Sequence, residues 1–307
     1  MREHPASVTD TEIIRTIGGD IAPAELGPCD AHEHLFLVTP AQPGDEFADV
    51  AKAIEEARTL VAAGGRALVD WTPLGLGRDL DGLRAVSDAT GLHVVAATGL
   101  HRDAHYASDD PLRSESEEAL ADRFVADLQR CGILKVGASY HYVTPFEEKA
   151  FAAAATAHER IGAPVCVHTE HGTMGLAIVE RLQKLGVPPA SVVLAHVDRN
   201  PDPGEHDETA AAGAWLQLDG PGRTKYWPDS TILALIADLA ERGHAGRLLL
   251  GGDTGRRSMM RAYGGGPGLD YLFARFKPRL ERELSSELSE QIFVTNPARA
   301  FAFAPRT

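Results

Sequence analysis

Short runs of apolar and β-branched residues alternate with longer amphipathic stretches along most of this chain. Short apolar runs are typical of buried strands. Apolar residues that recur about every three or four positions predict helices. The runs predict eight strands, at residues 29–34, 66–71, 93–98, 134–139, 164–169, 191–196, 215–219 and 247–253. Helical spacing lies between them, for example at 47–63, 115–130, 145–161, 173–185 and 229–242.

Regular alternation of strand and helix is characteristic of parallel α/β folds, and eight such units predict a closed (β/α)8 TIM barrel rather than an open sheet. Several predicted helices are followed by a glycine, the residue most common at helix C-termini; these are Gly64, Gly91, Gly132, Gly162, Gly186 and Gly243. Residues 13–26, around Gly18-Gly19-Asp20, predict a small β-hairpin cap before the barrel.

The chain has 307 residues, 44% of them hydrophobic, which is enough for one large core. Since no linker rich in Ser, Gly or Pro divides it, one domain over residues 1–307 is expected.

The longest irregular segment, residues 254–267, follows the eighth strand and precedes a predicted helix from Leu269. A loop of that length at the C-terminal rim of a barrel is expected to be functional.

The formal net charge of −14 argues against nucleic acid or an anionic membrane surface as a partner, but it leaves open a local basic pocket for a small anion. The three cysteines are odd in number and lack CxxC spacing, so neither a disulfide framework nor a structural zinc site is predicted. Residues 1–10 are polar, and no apolar run is long enough to span a bilayer. A soluble protein of the reducing cytoplasm is expected.

The segment Asp30-Ala31-His32-Glu33-His34-Leu35 carries the strongest chemical signal. In a strand, His32 and His34 leave the same face and lie close enough to bind one metal ion. Four further potential ligands accompany other predicted strands, namely Lys135, His168, His196 and Asp253. Any one of them has an alternative role as a strand-end residue bonded to a loop, but their coincidence at the face where barrel active sites lie favours a metal site.

Lys135 is unexpected among histidines, because an ammonium group repels a metal cation. One interpretation is a buried lysine paired with a carboxylate. In the other, burial lowers its pKa and the neutral amine adds carbon dioxide, giving a carbamate that can bridge two metals. Imidazoles together with anionic oxygen ligands suit two borderline divalent ions such as zinc, manganese or cobalt.

Together these motifs resemble the phosphotriesterase family of the amidohydrolase superfamily. The resemblance runs through most of the chain and rests on Gly18-Gly19-Asp20, His32-Glu33-His34-Leu35, Leu134-Lys135-Val136, Thr144-Pro145-Phe146, His168-Thr169-Glu170, His196-Val197-Asp198, Gly252-Asp253 and Asn296-Pro297-Ala298-Arg299. It implies six ligands: His32, His34 and Asp253 on the more buried metal, His168 and His196 on the more exposed one, and a carboxylated Lys135 bridging the pair.

The resemblance also implies a mechanism and an assembly. A hydroxide shared between the metals would be the nucleophile, while Asp253 takes its proton and returns it to the leaving group. A homodimer is the implied oligomeric state. These features imply a dinuclear metal-dependent hydrolase.

Two departures bear on the substrate. Asp219 matches the family's seventh-strand aspartate, but Gly220 follows it where the phosphotriesterases have a histidine of their proton relay. His101 replaces an aromatic residue that packs on their bulky substrates. An organophosphate is therefore not expected as the native substrate.

Other segments resemble the branch of the family that hydrolyses sugar lactones, including phosphorylated furanose lactones. They are Asp219-Gly220-Pro221-Gly222 with Lys225-Tyr226, and Arg256-Arg257 with 263–268. In that branch a Lys, an Arg and a Tyr hold a phosphate; Lys225 and Arg256 match, whereas the third position is Met259. A lactonase or carboxylic ester hydrolase of small polar substrates is predicted, with phosphoesterase or phosphotriesterase activity, or a ligand-binding barrel without catalysis, as alternatives.

The remaining polar residues give weaker signals. Tyr140, His141 and Tyr142 follow the fourth strand and are expected to line the pocket, with simple packing as the alternative. His101 is a separate candidate for contact with the substrate. Asp198 is expected on the surface, in an Asp-Arg-Asn turn, with orientation of His196 or a part in a proton relay as the alternative. His105, like three other histidines outside the motifs, is expected to be solvated or to cap a helix: these are His158, His206 and His244.

Overall fold

The computed structural model describes residues 12–306 and contains ten strands in two sheets. A hairpin pairs β1 with β2, and eight parallel strands follow in chain order. The strands are β1 Ile14–Thr16, β2 Gly19–Ile21, β3 Cys29–Glu33, β4 Ala67–Asp70, β5 His93–Gly99, β6 Ile133–Ala138, β7 Val165–Thr169, β8 Val192–Ala195, β9 Trp215–Leu218 and β10 Leu248–Leu250.

The eight-stranded sheet curves into a barrel. Neighbours in the sheet are neighbours in the chain, from β3 to β10, and every described pairing between them is parallel. The amide of Asp253, just after β10, donates to the carbonyl of His32 in β3 over 2.9 Å and so joins the first strand to the last. The predicted TIM barrel is confirmed, with each predicted strand present within about three residues of its expected ends.

Helices surround the barrel at α1 Val50–Ala62, α2 Leu80–Thr90, α3 Glu117–Asp127, α4 Pro145–Ile161, α5 Gly175–Lys184, α6 Pro203–Ala211, α7 Asp229–Glu241, α8 Lys277–Glu283, α9 Ser286–Glu290 and α10 Asn296–Ala300. The bounds of α4 were predictable because its end signals are local. Thr144 and Glu147 form a capping box, Pro145 opens the helix, and Gly162 ends it at φ 94°.

Gly132 is required for a different reason than Gly162. A β-carbon at this position would lie 2.3 Å from the Arg15 carbonyl oxygen, so the close approach of the two backbones requires a glycine.

Alternate residues of each strand face opposite sides of the barrel wall. On β8, Val193 and Ala195 pack inside the barrel, whereas Val192 and Leu194 pack against the helices. The interior cluster also includes Ile14 from the hairpin, together with Leu26 and Phe301. The hairpin therefore contributes to the same interior core as the barrel strands, as a cap would.

The long segment after β10 is ordered by two short 3-10 turns, Arg257–Met259 and Arg261–Tyr263. The amide of Arg257 donates to the Asp45 carbonyl, which fixes this segment against the loop after β3. Among the described helices, none has the length and apolarity required to cross a bilayer.

Candidate active site

The carboxyl ends of the barrel strands surround a cavity of about 190 Å³. All six predicted metal ligands line it: His32, His34, Lys135, His168, His196 and Asp253. They come from five strands or strand ends around the barrel, so only closure of the sheet brings them together.

Strand alternation orients some of these side chains, and special backbone conformations orient others. Lys135 lies two residues after the inward-facing Ile133, so it also points into the barrel. His196 directly follows the inward-facing Ala195 and would face outward in a continued strand. Its left-handed backbone, with φ 67°, ends the strand and turns the ring into the cavity. Asp253 has a left-handed backbone as well, with φ 45°.

The two histidines of β3 each use one ring nitrogen for a protein contact. His32 Nδ1 lies 3.2 Å from Asp219 Oδ2, and His34 Nδ1 lies 2.8 Å from Thr72 Oγ1. Their Nε2 atoms face Asp253 Oδ1, at 3.8 Å and 3.5 Å respectively. Burial lowers the pKa of both rings, that of His34 to about 4. Both are therefore neutral near pH 7, the form that binds a metal.

His168 also uses one ring nitrogen for a carboxylate contact, whereas the carboxylate beside His196 lies close to the ring without a hydrogen bond to it. His168 Nε2 lies 2.7 Å from Glu170 Oε2, which leaves Nδ1 for another partner. His196 Nδ1 lies 3.0 Å from Asp219 Oδ2 but without hydrogen-bond geometry. Burial lowers the pKa of both rings. A carboxylate behind a histidine is a common way to orient a metal ligand.

Lys135 is fully buried, and its Nζ has no hydrogen-bond partner among residues 12–306. The amine lies 4.5 Å from the centre of the Trp71 ring. Burial lowers the pKa of this lysine to about 7, so the neutral amine is well populated near neutral pH. The first interpretation, a lysine paired with a carboxylate, therefore finds no partner in the described part of the chain.

These donors fit divalent metal ions. Among residues 12–306, six cavity-lining side chains each have a buried polar atom without a hydrogen-bond partner, and three of these atoms are nitrogens of predicted metal ligands: His32 Nε2, Lys135 Nζ and His196 Nδ1. The other three are Gln42 Oε1 and the Nε atoms of Arg102 and Arg223. Ligand atoms cluster within 4.8 Å of one another in two groups, one of His32, His34 and Asp253 and the other of His32, His196 and Asp219. The first group is the set expected for the more buried metal. His168 belongs to neither group, and Asp219 takes its place beside His196.

A layer of buried carboxyl groups lies behind the histidines. Asp219 Oδ2 accepts from the His196 amide over 2.9 Å, and the Asp219 amide donates to Asp198 Oδ1 over 2.8 Å. Burial raises the pKa of Asp219 and of Asp198 to about 6. The expectation that Asp198 is a surface residue was wrong, because the turn after β8 folds inward and leaves it 2% exposed.

Two arginines that the sequence did not single out contact Asp253. Arg199 Nη2 lies 2.9 Å from Asp253 Oδ2, and Arg223 forms a short ion pair with the same oxygen. Arg223 also donates to the Asp253 carbonyl oxygen over 3.0 Å. Arg199 is part of the Asp-Arg-Asn turn, and Arg223 lies between Asp219 and Lys225. In both cases the sequence signal that could have identified the arginine was its position beside residues already predicted to belong to the site.

Three of the four predicted substrate residues line the cavity, namely His101, Lys225 and Arg256. His101 is stacked on His105 with ring centroids 3.9 Å apart. His105 also lines the cavity, is 8% exposed and faces Thr39 and His101, so it is neither the solvated nor the helix-capping residue that was expected. His158 and His206 are also buried, each bonded to a backbone carbonyl.

The fourth predicted substrate residue, Tyr140, lies outside this cavity and is 54% exposed. It lines an adjoining open depression, which shares Arg102, Glu170 and Arg199 with the cavity.

Comparison with known proteins agrees with this geometry. The model of the phosphotriesterase family matches residues 12–301. A phospho-furanose lactonase of Mycoplasmopsis synoviae is 30% identical, over 96% of this chain and 93% of its own.

Two solved structures share the fold over nearly their whole length. The structure of a lactonase from Listeria monocytogenes has a TM-score of 0.90 and 31% identity, covering 95% of this chain and 99% of that one. The phosphotriesterase homology protein of Escherichia coli, solved with phosphate in its active site, has a TM-score of 0.85 and 31% identity, covering 90% and 99%. This chain belongs to the phosphotriesterase family and is a metal-dependent hydrolase.

Proposed function

We propose that this protein is a lactonase that opens small anionic sugar lactones. The observation that carries the proposal is the charge around the cavity. Besides Lys135, five basic side chains line it, in a protein whose net charge is −14: Arg102, Arg199, Arg223, Lys225 and Arg256. Such a concentration of positive charge attracts an anionic substrate that the rest of the surface repels.

Ion pairs neutralise only part of that charge. Arg102 lies 3.1 Å from Glu170, Arg256 lies 2.9 Å from Asp45, and Arg199 and Arg223 share Asp253. Among residues 12–306, no carboxylate lies within 4.0 Å of Lys225 Nζ, which instead lies 4.8 Å from the Tyr226 ring centre. Lys225 is therefore the cation best placed to hold a phosphate or carboxylate of the substrate.

Two divalent ions, with zinc as the proposed metal, would be held by His32, His34 and Asp253 and by His168 and His196. Lys135, as a carbamate, would hold both ions, since its buried amine has no partner among residues 12–306 and an anionic group would offset the repulsion between two cations. Bound metal supplies Lewis acidity, which polarises the ester carbonyl and makes water more acidic.

The chain's own residues then account for substrate position and proton transfer. Hydrolysis adds water across the ring ester: the water oxygen bonds to the carbonyl carbon, the acyl C–O bond breaks, and the ring oxygen leaves as a hydroxyl. Asp253 lines the cavity and is the base positioned to take a proton from the water and deliver it to the leaving oxygen. His101 and Arg256 would contact the rest of the lactone.

The named relatives support this substrate class. One is a phospho-furanose lactonase, one a lactonase, and one holds phosphate in its active site. A cytoplasmic location is supported by three buried free thiols, at Cys29, Cys131 and Cys166. We retain one domain over residues 1–307 and a homodimer as proposals, the second of which sedimentation analysis would test.

The proposal is tested by comparing a phosphorylated and a neutral furanose lactone as substrates of the metal-loaded protein. A charge-assisted hydrogen bond contributes about 1.5–3 kcal/mol, so Lys225→Ala should lower kcat/KM roughly tenfold to a hundredfold on the phosphorylated lactone and little on the neutral one. Lys184→Ala removes the same charge from the exposed face of α5 and is the control. Equal losses on both substrates, or a parent that turns over a phosphate triester faster than either lactone, would overturn the proposal.

A further inference from the structure

An open depression of about 800 Å³ adjoins the active-site cavity. Arg102, Glu170 and Arg199 line both spaces, so they form the boundary between them. A substrate whose ester lies in the cavity can extend across this boundary without leaving the protein surface.

Aromatic rings continue from the cavity into the depression. Tyr226 lines the cavity, and its ring centroid lies 6.5 Å from that of His171. His171 lies 5.7 Å from Tyr140, which in turn lies 4.4 Å from His141. Tyr140 is 54% exposed although it is a large apolar ring, and it is therefore free to stack on a ligand.

The backbone around these rings is held in an uncommon conformation. His141 and His171 have φ values of 58° and 56°, in the left-handed region that non-glycine residues rarely adopt. Thr173 connects the two loops: its hydroxyl donates to the Glu170 carbonyl over 2.8 Å and accepts from the His141 amide over 3.3 Å. Backbone strain of this kind persists only where the surrounding structure holds it, and in proteins it is concentrated at functional sites.

We propose that the depression is a subsite for a second sugar ring, attached to the lactone that is opened in the cavity. The inference rests on the proposed lactonase function and extends its substrates to glycosylated aldonolactones. A sugar ring fits this mixed lining because its C–H face can stack on Tyr140 while its hydroxyls bond to Arg102, Glu170 and Thr173. The bond that breaks is still the ring ester, and the glycosidic link is not cleaved.

The kinetic test compares maltobionolactone, which carries a second ring, with gluconolactone, which does not. Loss of a stacked ring should lower the ratio of their kcat/KM values about five- to tenfold in Tyr140→Ala. Tyr140→Phe should keep the parental ratio, since stacking does not need the hydroxyl. Tyr142→Ala is the matched control, because Tyr142 is equally exposed and close in sequence but does not line the depression.

Binding of maltose alone, followed by saturation-transfer NMR, separates this inference from the lactonase proposal. Maltose has no ester, so its contact with the protein does not depend on turnover. The signal should weaken in Tyr140→Ala and persist in Tyr142→Ala, even if neither lactone is hydrolysed. No maltose signal in the parent, or equal signals in both variants, would overturn the subsite. Maltose binding by a protein that hydrolyses neither these lactones nor the phosphorylated furanose lactone would overturn only the lactonase function.

Discussion

A β-carbon on Gly220 would lie 2.2 Å from Oδ2 of Asp198. The carboxylate thus occupies the space that any side chain at position 220 would need. Its other oxygen accepts from the Asp219 amide over 2.8 Å, and Asp219 in turn contacts His32 and His196. The histidine that the phosphotriesterases have after this aspartate is therefore excluded here by a buried carboxylate.

Gly220→Ala should destabilise the fold by about 1–3 kcal/mol, because Asp198 must move and weaken its bond to Asp219. Equilibrium unfolding in urea measures the change. Gly246→Ala is the control: a β-carbon there meets its nearest atom at 3.5 Å, an ordinary contact. If the two variants proved equally stable, Asp198 would not constrain position 220.

Lys135→Ala should lower the metal content from about two ions per chain to one or fewer, since the bridging ligand is lost. Elemental analysis by mass spectrometry gives the count, and Lys149→Ala, which removes a lysine bonded to two backbone carbonyls outside the cavity, should leave it unchanged. Reconstitution of the parent with ¹³C-bicarbonate should add a carbamate carbon signal that the Lys135 variant lacks. Two tightly bound ions in Lys135→Ala would contradict the bridge.

Asp253→Asn should reduce turnover roughly a hundredfold to ten-thousandfold, because an amide can still coordinate a metal but cannot carry a proton. The metal content should be largely retained. The variant also leaves Arg199 and Arg223 without their shared carboxylate, so thermal unfolding must show that it remains folded. Near-parental turnover in a folded, metal-loaded variant would limit Asp253 to a ligand role.

His105 should make stability depend on pH. Burial lowers its pKa to about 3 in the folded protein, against about 6.5 in the unfolded chain. Between these values the unfolded chain binds the proton and the folded protein does not, so the free energy of unfolding falls as the pH falls.

The variant His105→Asn has no titratable group at this position and is the reference. Compared with it, the parent should lose about 2 kcal/mol of unfolding free energy between pH 6.5 and 4.5. Urea unfolding of both proteins across that range measures the difference, in which contributions of histidines distant from His105 cancel. A constant difference would show that His105 titrates normally.

The number and order of the barrel strands, and the residues that end them, were evident in the sequence. Apolar runs and helical spacing are local signals, and a ligand within or at the end of an apolar strand, such as His168, is placed by the register of that strand. The end signals of α4 were local too, as the Thr144 cap and Gly162 show. Each of these features depends on residues only a few positions apart.

Only the tertiary structure decided which residues lie behind and beside the ligands. Arg199 and Arg223 reach Asp253 from loops 54 and 30 residues away, and Asp198 is buried because its turn folds inward. Tyr140 lies in the adjoining depression rather than the cavity because of the path of its loop. Long side chains and loops meet partners that are distant in sequence. The sequence alone therefore predicted the candidate ligands, while closure of the barrel brought them together and decided the charge and shape around them.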